Sequence, residues 1–218
     1  MRIGILYQYG LLSSGSGIYV ARLAQGLCAL GHNVGIICWE HEPEGHSFIE
    51  AAYQGRGDQV QTLFQRQPSP RCWLHLLDGQ APVAYPRVEA PERPLFTQLS
   101  DEEIEAHVAD LADQVTEVVL RHRLEILHAN HVVLMPYVAW LVKERTGIPY
   151  VVTVHGSTIE YVVVPDPRYR PYAEQGLRKA DRVIVLNEDV RERTLALCPQ
   201  ARIVEVPVGV DTRVFRPA

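Results

Sequence analysis

The chain has no C-x-x-C pair, which excludes the common zinc knuckle and dithiol redox motif. Its four cysteines, Cys28, Cys38, Cys72 and Cys198, are scattered. Cys28 and Cys38 lie in apolar stretches, where a thiol behaves as a small hydrophobe, so reduced core cysteines are expected. There is no G-x-x-x-x-G-K-[ST] run and hence no P-loop, and no G-x-S-x-G to form a hydrolase elbow. Dense runs of Lys and Arg are also missing, and the formal net charge is −5; neither fits a nucleic-acid partner. No stretch approaches the ~20 apolar residues of a membrane span. That leaves only peripheral membrane contact open. Met1-Arg2 runs straight into a strand-like segment without a signal-peptide core, so a cytoplasmic location is expected.

What is present is a regular alternation. With 218 residues, 47% of them hydrophobic, the chain suits one large α/β domain. Ile3 to Tyr7 reads as a buried strand. A Gly/Ser-rich loop follows, and Val20, Leu23, Ala24, Leu27 and Leu30 then recur at helical spacing over residues 17–30. Gly31 fits a helix C-cap, and Asn33 to Trp39 reads as a second strand. Residues 42–57 read as loop, with short strands over 59–65 and 72–77. Prolines keep residues 81–95 irregular. Ser100 and Glu103 form a capping box that opens a long helix to about His122, with Ile104, Val108, Leu111, Val115, Val118 and Val119 as its buried stripe. Strands at 126–128, 150–154, 183–186 and 203–206 alternate with helices over 132–145, 172–179 and 189–197. This pattern predicts a doubly wound, Rossmann-like parallel sheet.

In such a sheet, ligands bind beyond the carboxyl ends of the strands. Three segments fall there. Ser13-Ser14-Gly15-Ser16-Gly17 precedes the first helix, where unpaired N–H groups and the helix dipole favour an anion; the same residues would equally serve as a loop and cap. Thr153-Val154-His155-Gly156-Ser157 places a histidine directly after a buried strand, as a crevice donor or acceptor or as a packed side chain. In His128-Ala129-Asn130-His131, His131 is placed to line the crevice and His128 to pack. This spacing does not suit a metal site, and no metal is expected. Gly15-x-Gly17-x-x-Val20 lacks the third glycine of a dinucleotide fingerprint. Glu40, at the end of the second strand, keeps a NAD(P)-binding oxidoreductase reading open. A non-catalytic binding module is the third reading.

Taken in order, several segments resemble successive landmarks of the family 4 glycosyltransferases. They are Ser14-Gly15-Ser16-Gly17, Leu127-His128-Ala129-Asn130-His131, Gly147 to Gly156 (Gly-Ile-Pro-Tyr-Val-Val-Thr-Val-His-Gly), Lys179 to Asn187, and Val206-Pro207-Val208-Gly209-Val210-Asp211. The resemblance spans roughly residues 1–40 and 100–217. It implies a retaining enzyme of the GT-B fold, in which two Rossmann-like domains face a cleft. Residues 1–206 would then be the N-terminal, acceptor-side domain and 207–218 the connector to a C-terminal, donor-binding domain, its partner. The implied substrates are a nucleotide-sugar donor and an acceptor hydroxyl, with no cofactor. Gly15, Ser16 and Gly17 would reach the donor phosphates, and His155 would act at the reaction centre. Asn130, His131, Gly156, Ser157 and Asn187 would bind substrate. The loop reads Gly-Ser-Gly where a Gly-Gly pair is commoner in the family.

Overall fold

In the computed structural model of the protein, the described residues are 1–11, 14–86 and 92–209. The first residue of the glycine loop, Ser13, and most of the connector, residues 210–218, lie outside them. Strand β1 (Arg2–Leu6) is followed by helix α1 (Gly15–Ala29) and strand β2 (Asn33–Cys38). Strands β3 (Ala51–Gln54), β4 (Gln61–Gln65) and β5 (Cys72–Leu76) come next, then the long helix α2 (Asp101–His122). The second half alternates β6 (Ile126–Asn130), α3 (Met135–Thr146), β7 (Tyr150–Val154), α4 (Arg170–Lys179), β8 (Arg182–Val185), α5 (Glu188–Leu197) and β9 (Ile203–Glu205).

All nine strands form one sheet in the order β4-β3-β5-β2-β1-β6-β7-β8-β9. β1 pairs in parallel with β2 on one side and with β6 on the other. The strand order therefore reverses at β1, which makes the carboxyl end of β1 and β6 the crevice of the sheet. On one face, Val20, Ala21 and Ala24 of α1 pack with Ile5, Ile36 and Leu74. On the other, α2, α3 and α4 cover Leu127, Val152 and Val183. Helices on both faces explain why the central strands are apolar almost throughout.

The predicted elements are present, with three corrections. The segment expected to be loop at 42–57 contains β3, a four-residue strand too short for alternation to mark. β3 pairs antiparallel with β4, so the sheet is mixed at one edge. The helix after β6 begins at Met135 and not at Val132. The Val132 amide is drawn instead to Thr158 Oγ1 at 3.1 Å, and Pro136 sits in the first helical turn, where its missing N–H costs nothing. The capping box of α2 is formed: Glu103 N–H donates to Ser100 Oγ at 3.2 Å, and Ser100 N–H to Glu103 Oε2 at 2.8 Å. The buried stripe of α2 includes all six expected residues. Three cysteines are buried, Cys28 is half-buried, and all four are free thiols.

Candidate functional site

Helix α1 begins at Gly15, two residues earlier than its apolar pattern indicates, because Ser14 is its N-cap. The Ser14 hydroxyl accepts from the Gly17 amide at 3.2 Å. Beneath this turn lies the fully buried Tyr7, just past the end of β1. Its hydroxyl is 2.9 Å from both Ser14 Oγ and Ser16 Oγ, and the two serine oxygens are 3.0 Å apart. Three hydroxyls thus close a triangle that fixes the helix start. The first turn of α1 carries no acidic residue, so the positive end of its dipole is not offset by its own side chains.

The two glycines here differ in their surroundings. A Cβ on Gly15 would meet nothing within 4 Å, whereas one on Gly17 would lie 2.4 Å from the Leu11 carbonyl oxygen and 2.8 Å from that of Gly10. Gly17 therefore lets the loop fold back over the helix. Gly15 faces open space at the helix start.

Two strands away, β7 is followed directly by His155 and Gly156. Gly156 has φ +84°, a left-handed conformation that turns the chain sharply into Ser157 and a single π-helical turn over Ile159–Val163. His155 Nε2 is 3.0 Å from Asn130 Oδ1 at the end of β6. The fully buried Asn130 turns its Nδ2 to the carbonyl oxygens of Leu6 at 3.3 Å and His128 at 3.4 Å. That orientation presents Oδ1 to the histidine, so Nε2 carries the hydrogen and Nδ1 keeps its lone pair. Burial pushes the His155 pKa down to about 4, with nearby His128 acting in the same direction. At neutral pH the ring is therefore an uncharged acceptor at Nδ1.

His131 completes the wall. It holds φ +69°, rare for a residue with a side chain. Its ring stacks on Tyr7 with centroids 5.7 Å apart, meets Tyr9 edge-on at 5.6 Å, and lies 4.8 Å from the His155 ring. Tyr19 of α1 stands edge-on to His155 at 5.2 Å. The glycine loop, the end of β6 and the end of β7 are thereby brought to one place.

Two candidates behave differently. Asn187 is the N-cap of α5, its Oδ1 accepting from the Val190 amide at 2.9 Å. Helix α5, which it caps, reaches the site: Val190 Cγ2 lies 3.5 Å from a Cβ built on Gly156. Glu40, read as the acid of a dinucleotide site, is engaged elsewhere. Its Oε2 accepts from the Leu11 amide and faces His46 Nε2, both at 2.9 Å, and its Oε1 accepts from the amides of His41 and Glu42. Burial raises its pKa, but the hydrogen bonds outweigh burial and hold it below the usual carboxylate value. Glu40 ties down the glycine loop and leaves no oxygen for a ribose. His128 is packed as expected, with Nε2 2.7 Å from Thr153 Oγ1. Sequence reasoning missed Tyr7, Tyr9 and Tyr19, since an aromatic after a strand or on an amphipathic helix looks like core. Among the described residues, no group of three or more His, Cys, Asp or Glu could hold a metal ion.

Residues 14–209 match the family described as glycosyl transferase 4-like domain. The chain belongs to that family. Among curated relatives, a D-inositol 3-phosphate glycosyltransferase from Actinosynnema mirum is 31% identical over 135 residues, 56% of this chain and 32% of the relative. The enzyme of the same description from Mycobacterium ulcerans is 33% identical over 102 residues, 43% of this chain and 22% of the relative. The match therefore spans a third or less of the relatives' length. Among solved structures, sucrose-phosphate synthase from Thermosynechococcus elongatus superposes with a TM-score of 0.66 at 16% identity, covering 100% of this chain and 50% of that one. A UDP-N-acetylglucosamine 2-epimerase from Rickettsia bellii gives 0.52 at 12% identity over 94% of this chain and 44% of that one. Structural likeness at these identities shows the fold, half of a GT-B architecture. The family match makes the chain a glycosyltransferase-family domain. Among the described residues, no helix is long and apolar enough to cross a membrane.

Proposed function

We propose that the chain is the acceptor-side domain of an enzyme that moves a sugar from a nucleoside-diphosphate donor to an acceptor hydroxyl with retention of configuration. The supporting observation is the meeting of an unneutralised helix start at Gly15 with an uncharged His155, oriented by Asn130, at the switch point of the sheet. The exposed amides at the start of α1 would stabilise negative charge growing on the departing diphosphate. His155 Nδ1 would accept a hydrogen bond from a hydroxyl of the transferred sugar. Serine hydroxyls 14 and 16, held by Tyr7, would keep the phosphate-facing turn rigid. Gly156 and Ser157 would shape the floor beside the sugar, and His131 the wall. A C-terminal domain would supply the grip on the nucleotide. No cofactor enters this scheme, and the free thiols suit a reducing, cytoplasmic setting.

The relatives' description makes an inositol phosphate the first acceptor to try. The test is to incubate the full-length protein with UDP-, GDP- and ADP-sugars and an acceptor panel. Nucleoside diphosphate release and product anomer would be followed by NMR. Acceptor-dependent release with the donor's anomeric configuration is expected. Release with inversion, or none with any pair while NAD(P) binds in the micromolar range, would sink the reading.

A further inference from the structure

Far from His155, the carboxyl rim of the sheet carries a second concavity. It is an open cavity of about 580 Å³ at the ends of β3 and β5, lined by Gln54, Arg56, Asp58, Gln59, Gln61 and Asp78. Strands β5, β2, β1 and β6 separate β3 from β7, so five strand spacings, about 24 Å, lie between this cavity and the reaction centre. Both face the same rim, because every intervening strand is parallel.

The cavity is built on a fixed frame. The turn between β3 and β4 is fastened to α2: Glu117 Oε2 accepts from the Gly57 amide at 2.7 Å, and the Arg121 guanidinium donates to the Gly57 carbonyl. Gly55 is held through its carbonyl oxygen, 3.2 Å from His75 Nε2. Arg56 is clamped between Asp78 at 3.1 Å and Asp110 at 2.7 Å. Against that frame, the side chains of Gln54, Asp58, Gln59 and Gln61 make no hydrogen bond among the described residues. A narrow recess beside it shares Gly55, Arg56 and Val60 and is lined also by His75. Rigid backbone beside uncommitted amide and carboxylate side chains is what a ligand rich in hydroxyls would satisfy.

Charge selects the ligand further. Arg56 is already neutralised by two carboxylates, and Asp58 adds a third, so the local balance is acidic. A phosphorylated or carboxylated group would be repelled. An uncharged polyol would find both donors and acceptors.

We propose that this cavity is a remote carbohydrate subsite that takes an uncharged sugar unit at the far end of an extended acceptor. This rests on the transferase reading above. It extends that reading to the acceptor's class: a glycan or glycoside whose distal residue carries no charge.

The test is calorimetric titration of the full-length protein with uncharged trisaccharides (maltotriose, cellotriose, mannotriose, triacetylchitotriose), with inositol 3-phosphate as the anionic probe. Each titration is repeated on the double variant Gln59→Leu/Gln61→Leu and on Asp58→Ala, all exposed positions away from the His155 site. At least one uncharged oligosaccharide should bind, and its Kd should rise tenfold or more in the double variant, with thermal melting unchanged. Loss of anionic-probe binding alone in the variants would overturn the ligand class. Absence of binding across the uncharged set, or binding indifferent to the variants, would overturn the site. Transfer is assayed separately with inositol 3-phosphate as a small acceptor that does not reach the cavity. Turnover without variant-sensitive oligosaccharide binding defeats this inference alone; variant-sensitive binding without turnover of any donor–acceptor pair defeats the transferase reading and leaves a carbohydrate site that serves no acceptor.

Discussion

Asn130 and His155 are joined by a 3.0 Å hydrogen bond from the end of β6 to the end of β7, and that contact decides which nitrogen of the histidine is left for a substrate. Asn130→Asp should place a carboxylate opposite Nε2 and raise the His155 pKa from its value of about 4. Histidine ring resonances followed by NMR through pH 3.5–8 would report it. An unchanged titration would mean that Asn130 does not govern the ring.

His155→Ala in the full-length enzyme should lower kcat/KM by roughly 10²–10³, the usual scale for removing a hydrogen-bonding group that acts in the transition state. The change also leaves the buried Asn130 Oδ1 without the ring nitrogen it faces, so a moderate drop in melting temperature, about 1–3 kcal/mol of stability, should accompany the loss of turnover. Normal turnover in a destabilised variant would assign His155 to packing.

Stability should fall on mild acidification. His122, His128 and His155 are each held down to about 4 by burial, against an unfolded value near 6.5. Well above pH 6.5, from about 7.5, both states are neutral there and stability is flat. Between about 6.5 and 4 the unfolded chain binds protons that the folded chain refuses, so stability declines as pH drops. Between pH 5 and 6.5 the carboxylates are still ionised, and the histidines dominate. Urea midpoints at pH 5 and pH 7 would show the decline, and His128→Gln should make it shallower. Equal slopes in the two proteins would count against a buried neutral His128.

Gly15 and Gly17 should respond oppositely to alanine. At Gly17 the methyl group collides with the carbonyl oxygens of Leu11 and Gly10, and melting should drop clearly. At Gly15 it enters open space in a helical first turn, where alanine stabilises by about 0.5–1 kcal/mol or less. Gly15→Val should instead raise the donor KM by crowding the phosphate approach. A Gly17→Ala variant as stable as the parent would remove the packing explanation.

Tyr7→Phe deletes one hydroxyl from a closed triangle with Ser14 and Ser16. A buried hydrogen-bonding group lost in this way costs about 1–3 kcal/mol, and thermal melts should show it. Ser14→Ala, which removes the N-cap, should cost about 1 kcal/mol. If the two changes together cost only as much as the larger one, the hydroxyls act as a unit.

The parts of this fold that repeat a period were readable from the chain. α2 announced itself with Ser100, Glu103 and a six-residue apolar stripe, and β7 with an unbroken run from Tyr150 to Val154. β3 was not readable, since Ala51-Ala52-Tyr53-Gln54 is too short to show alternation and takes its register from β5. The start of α3 was misplaced because the apolar Val132–Leu134 look helical, while a long-range bond to Thr158 holds them out of the helix. At the site, His155, Gly156 and Asn130 stood at strand ends, where position alone drew notice. Tyr7 and Tyr19 did not, because nothing local separates a tyrosine that fixes a loop from one that fills a core. Asn187, singled out at the same kind of position, also caps a helix through its Oδ1.

The order of strands also bears on how such a protein changes over generations. The hairpin of β3 and β4 joins the sheet through one ladder, to β5, and ends it. Insertions or substitutions there disturb the β3 ladders and the ties of the turn to α2 but leave β1, β6 and β7 in register. The rim where His155 stands has paired strands on both sides. One end of the sheet is therefore free to drift toward new partners while the middle is held still, and divergence in this lineage should accumulate in the hairpin first.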